Sequence, residues 1–210
     1  MAVRKVQVQA ISMVLIAGIV LALAGTAYFW GKPLLEKRST ATDVSSAESF
    51  MLELNSQIIS IARSGGSKSV VIPHIQGSAV SVNQTGNEIL FRFGAGQAML
   101  DMGDGTGLIP VETYDMSPVG SYGDSPRIIT LTGQPAGNDQ YLMTLRLKYR
   151  ELDATNPDKG YEIVILNGGN LAQNTAPSRI IVSFIGTDTK SNGAKNGGDL
   201  IETNINVTLA

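Results

Sequence analysis

From Ile11 to Trp30 no residue carries a charge, and only Ser12 and Thr26 are clearly polar. As an α-helix this run spans about 30 Å, the thickness of a bilayer's hydrocarbon core. Arg4 and Lys5 precede it; Lys32, Lys37 and Arg38 follow it, with Glu36 among them. Tyr28, Phe29 and Trp30 stand together at the far end, where amphipathic rings prefer the headgroup level, and Lys32 beside them is placed to reach the phosphates. A run with two such ends is expected to span a membrane.

A cleaved secretory signal is the main competitor. Arg4 and Lys5 would form its basic start, and Ala22-Leu23-Ala24 is an A-x-A-like cut site. Against this, apolar character continues through Ala27, Tyr28, Phe29 and Trp30, where a mature chain should turn polar. Retention is therefore expected. Gly18, Ala22 and Gly25 share one face at four- and three-residue spacing, and small residues let helix backbones approach closely in lipid.

Pro33 lacks a backbone N–H, so a kink or restart is expected near Gly31-Lys32. A second, amphipathic helix is expected over about 42–63. Ser45 and Glu48 would be its capping box, and Ala47, Met51, Leu54, Ile58 and Ile61 its apolar stripe, expected to lie on the globular domain. Gly65-Gly66 would stop it. Beyond it the chain reads as strands. Two alternating runs flank Gln84-Thr85-Gly86-Asn87, a hairpin signal. Further on, Leu145 and Leu147 alternate with Arg146, Lys148 and Arg150, so one face is buried and the other wet. A Gly- and Pro-rich stretch over 103–126 is expected as a surface excursion. The predicted class is α+β: a long N-terminal hydrophobic helix, then a mainly antiparallel β-sandwich-like domain. Residues 1–10 would be a processed leader, 11–64 a helical stalk (apolar helix 11–30), and 67–210 the β-rich head.

Chemistry is sparse. The 210 residues carry a net charge of −2 and no cysteine, which excludes disulfides, thiolate metal sites and cysteine nucleophiles and leaves no basic stripe for nucleic acid. His74 is the only histidine, so no histidine triad or cluster forms within one chain. No nucleotide or hydrolase motif occurs, and neither an enzyme nor a cofactor is expected. Two acidic loops have the oxygen-rich composition that calcium takes: Asp101 and Asp104 within 101–107, and Asp153, Asn156, Asp158 and Glu162 within 153–162. Neither has EF-hand spacing.

A short basic start, then "QVQAIS", then a long apolar helix leading directly into the mature domain, resembles the archaeal type IV pilin and archaellin superfamily. The likeness covers about the first 35 residues. It implies a prepilin-peptidase-like enzyme cutting around Arg4, Lys5, Val6, Gln7 and Ala10, although Val6-Gln7 stands where the family usually has Gly or Ala. It also implies a filament subunit with helices in the core and β domains outside, inserted in the membrane before assembly. The alternative within the same superfamily is an uncleaved, singly anchored envelope protein with an extracellular β-sandwich, related to minor archaellum components near the S-layer. S-layer or host surfaces are the implied outside partners. N-glycosylation is implied as well, with sequons at Asn83 and Asn206.

Overall fold

The computed structural model describes residues 2–75, 77–96, 109–112, 128–137, 140–153, 158–168 and 179–210. It opens with one helix, α1 (Ala2–Ser64), of 63 residues, about 95 Å long. The two expected helices are thus one. Pro33 removes a single rung, the bond to the Phe29 carbonyl, and the strong helix formers Leu34, Leu35, Glu36, Lys37 and Arg38 continue the coil beyond it. The hydroxyls read as a cap also take another role inside a continuous helix. Ser49 Oγ donates to the Ser45 carbonyl at 2.9 Å and Thr42 Oγ to the Arg38 carbonyl at 3.0 Å. Such bonding to the preceding turn is what Ser and Thr do away from a helix start. The C-terminus falls where expected: Gly65 takes φ of 72° and its N–H bonds the Ile61 carbonyl at 2.7 Å, the left-handed cap that glycine adopts without strain.

The strands are β1 (Ser67–Val71), β2 (Ala79–Asn83), β3 (Glu88–Gly96), β4 (Ile109–Glu112), β5 (Ile128–Gly137), β6 (Gln140–Lys148), β7 (Leu152–Asp153), β8 (Lys159–Asn167), β9 (Arg179–Lys190) and β10 (Asp199–Leu209). They form two five-stranded sheets, ordered β1-β9-β10-β8-β7 and β2-β3-β6-β5-β4. Every pairing is antiparallel except β8 with β10, which run parallel. The excursion expected over 103–126 contains β4, which pairs with β5. The β2–β3 hairpin turns at residues 84–87 as its sequence suggests. Leu145 and Leu147 point inward while Arg146 and Lys148 stay half-exposed, so β6 follows its alternation.

The C-terminal part of α1 packs on both sheets, against β1, β9 and β10 of one and β3 and β6 of the other. Thr40 is the first buried residue described on it, and Ala47, Met51, Leu54, Ile58 and Ile61 are all fully buried. The stripe lies on the head, and the head's core is a three-part contact of sheet, helix and sheet. Phe50 meets Phe91 at 5.2 Å between ring centroids, and Phe91 meets Phe93 at 5.7 Å. Inside this apolar layer Tyr149 Oη and Asn55 Oδ1 are 2.8 Å apart, a buried hydrogen bond between helix and sheet. Only the part of α1 before Thr40 is left as a stalk.

Candidate assembly surface and the polar end of the head

Ser12–Lys32 of α1 has a mean hydropathy of 2.1 and none of it is buried, long and apolar enough to cross a membrane. Met13, Val14, Leu15, Ile16, Ile19, Val20, Leu21 and Leu23 are each more than half exposed. Covering a large aliphatic side chain is worth about 1.5–3 kcal/mol, so eight fully exposed ones together would carry roughly 12–24 kcal/mol. That matches or exceeds the whole stability of an ordinary domain, about 5–15 kcal/mol. This surface therefore demands a cover, either lipid or protein.

The backbone of Arg4, Lys5, Val6, Gln7 and Ala10 belongs to the first turns of α1; their side chains lie outside the described residues. Gly18, Ala22 and Gly25 sit on the uncovered part of the helix, and a Cβ added at Gly18 or Gly25 meets nothing within 4 Å. Tyr28, Phe29 and Trp30 are 64%, 76% and 77% exposed. Tyr28 and Phe29 meet edge-on at 6.2 Å, with exposed Lys32 one turn further on.

The sequons differ in setting. Asn83 ends β2, exposed, with its Nδ2 donating to Glu88 Oε1 at 2.8 Å and its Oδ1 accepting from Gly86 N–H at 3.2 Å. Asn206 lies half-buried in β10, hydrogen-bonded between β8 and β9. Of the calcium candidates, Asp101, Asp104 and Asn156 fall outside the described residues, as does the Asp153 side chain. Asp158 is exposed and Glu162 half-buried, and among the described residues no three His, Asp or Glu side chains gather around a metal-sized space. His74 is exposed between β1 and β2.

A polar arrangement that the sequence did not single out joins the two sheets. β7 pairs with the edge of β8 at Gly160 and Tyr161, and among the described residues no strand continues along that edge beyond them. The Asn87 carboxamide fills part of that gap: its Nδ2 donates to the Ile163 carbonyl at 2.7 Å and its Oδ1 accepts from the Ile165 N–H at 2.8 Å. One side chain thus imitates a strand's peptide group. Asn87 can do this because it closes the β2–β3 turn at φ of 50°, a conformation Asn tolerates better than most residues. Its own carbonyl takes the Tyr149 N–H at 3.0 Å. Asn87→Ala should cost about 2–4 kcal/mol, because two backbone groups of β8 lose their partner and alanine is strained at positive φ. Chemical denaturation of the full chain in detergent micelles reads this out.

Glu162 lies beside this clip, its Oε1 accepting from Asn87 Nδ2 at 3.0 Å. It is cross-strand partner to the buried Glu202, which Lys190 holds at 2.5 Å. Desolvation pushes the Glu162 carboxyl above the ordinary carboxylate range. The Asn87 hydrogen bond opposes this, and the charges of Glu202 and Glu151 add to it. A carboxyl whose pKa is raised by folding binds its proton more tightly in the native state. Stability from this group therefore grows as pH falls from neutral toward its unfolded pKa, and the growth stops below it. Glu162→Gln keeps an acceptor for Asn87, so it should raise the melting temperature at pH 7.5 and change it least near pH 4.

Comparison with family models, with curated proteins and with solved structures returned no match to this chain.

Proposed function

We propose that this chain is a structural subunit of an extracellular, type IV pilus-like filament, with the apolar part of α1 packing among copies of itself and the β head facing outward. One observation carries the reading: a single unbroken helix is wholly uncovered over Ser12–Lys32 and enters the core of the head from Thr40 onward. A helix that is the head's own core transmits force from an assembled bundle directly into the folded domain. The open backbone around Gly18 and Gly25 suits close helix packing. The resemblance of the N-terminal sequence to archaeal pilins agrees with it and implies a prepilin-peptidase-like enzyme acting before the apolar run.

The same exposed segment supports a second reading, a singly anchored envelope protein. The aromatic group at Tyr28, Phe29 and Trp30 with Lys32 favours it, because it is the pattern of a helix that rests at one interface. Two measurements on native material separate the readings. Sheared surface filaments should contain the chain by mass spectrometry, with a mature N-terminus between Val6 and Ile11. Absence from filaments together with an intact Met1 in the membrane fraction would replace the filament by the anchor.

A further inference from the structure

At the end of the head where Asn87 joins the sheets, an open cleft of about 490 Å³ lies between the β2–β3 turn, the end of β6, β8 and the loop before β10. That volume falls within the range of small-molecule sites, roughly 300–1,000 Å³. Tyr149, in its wall, meets α1 at Asn55, about 35 Å along the helix axis past Lys32. The cleft therefore stands well clear of the apolar part of the helix.

Its polar groups are of two kinds. Arg146, Lys148 and Arg150 lie at alternate positions along the chain, and Lys195, from the loop before β10, lines the same cleft. Glu88 holds Arg146 at 2.9 Å. Lys148 and Lys195 make no ion pair among the described residues, so two ammonium groups remain for an incoming anion. Against them stand acceptors and a carboxamide. Glu151 Oε1 takes the Lys195 N–H at 2.7 Å and its second oxygen has no partner among the described residues, while Glu162 and Asn87 are engaged with each other and with β8. The aromatic ring in the wall, Tyr149, is 1% exposed and offers no face for stacking a base. Carboxylates in the wall would also repel a dense polyphosphate.

Cations beside hydroxyl acceptors match one class of ligand, a sugar that bears both a carboxylate and free hydroxyls. We propose that this cleft binds an acidic sugar unit of a surface polysaccharide, with Lys148 and Lys195 holding the sugar carboxylate and Glu151 meeting its hydroxyls. The proposal does not depend on how the helix assembles, since every residue in it belongs to the head.

The test titrates the full chain in detergent micelles with polygalacturonate, with a neutral galactan of similar length, and with polyphosphate. Polygalacturonate should bind, more weakly as salt rises, while the galactan does not. Lys148→Gln combined with Lys195→Gln should weaken binding by roughly tenfold or more, as expected for two lost charge-assisted hydrogen bonds. The melting temperature should stay unchanged; should the double variant lose its fold, each single variant is scored in the same way. No binding of polygalacturonate, binding unaffected by the substitutions, or equally tight polyphosphate would overturn the assignment.

Discussion

Leu54→Ala should destabilise the head by about 3–5 kcal/mol, the range for deleting a fully buried leucine from a core that cannot close around the void. Leu54 is 0% exposed on the part of α1 that contacts both sheets. A cavity there is lined by helix and sheets at once, and none of the three can move into it without separating from the others. Leu52, two residues earlier on the same helix, is 36% exposed. Leu52→Ala should therefore cost about 1 kcal/mol or less. Urea denaturation in micelles compares the two, with a lower midpoint and an unchanged slope expected for Leu54→Ala. Equal effects at both positions would mean that α1 does not enter the core in this register.

Leu21→Arg should do the opposite. The residue is 72% exposed near the middle of Ser12–Lys32, so the head should denature at the same midpoint as the parent chain. Retention in the membrane, or in a filament, should fall sharply. Placing arginine at the centre of a spanning helix costs about 2.5–3.5 kcal/mol on insertion scales, on the order of a hundredfold in the equilibrium. Fractionation of cells expressing each variant reads this out. Leu54→Ala changes folding and spares location, and Leu21→Arg changes location and spares folding. The pair separates the two jobs of one helix.

That division was largely legible in the chain. The uncharged run ending in Tyr28-Phe29-Trp30 needed only side-chain polarity, and the stripe from Ala47 to Ile61 only a period near 3.6. The alternation of Leu145 and Leu147 with Arg146 and Lys148 gave β6 and its inner face. The joint between the helices misled because Pro33 is a local signal, whereas helix continuity depends on the formers flanking it on both sides. Ser45 with Glu48 misled for a related reason: a capping box marks a start only where the preceding backbone is not already helical. The parallel β8–β10 pair and the Asn87 clip were out of reach for another reason. Both depend on which strand lies beside which across long stretches of chain, about forty residues between Glu162 and Glu202 and 76 between Asn87 and Ile163. Nothing local to "TGNE" distinguishes a turn asparagine from one whose carboxamide completes another sheet. Its one detectable trace is an asparagine directly before a strand, where positive φ is tolerated.

The most direct test of the central claim uses the absence of native cysteine. Ala22→Cys carries a single benzophenone maleimide on the small-residue face of α1, and Lys195→Cys carries it on the head as a control. Each labelled chain is both a source and a target of photo-crosslinking, so irradiation of native surface material records every close helix neighbour. A ladder of successive multiples of the chain from position 22, without one from position 195, is the predicted result. A label at position 22 that yields only monomers and lipid adducts would contradict assembly through this helix.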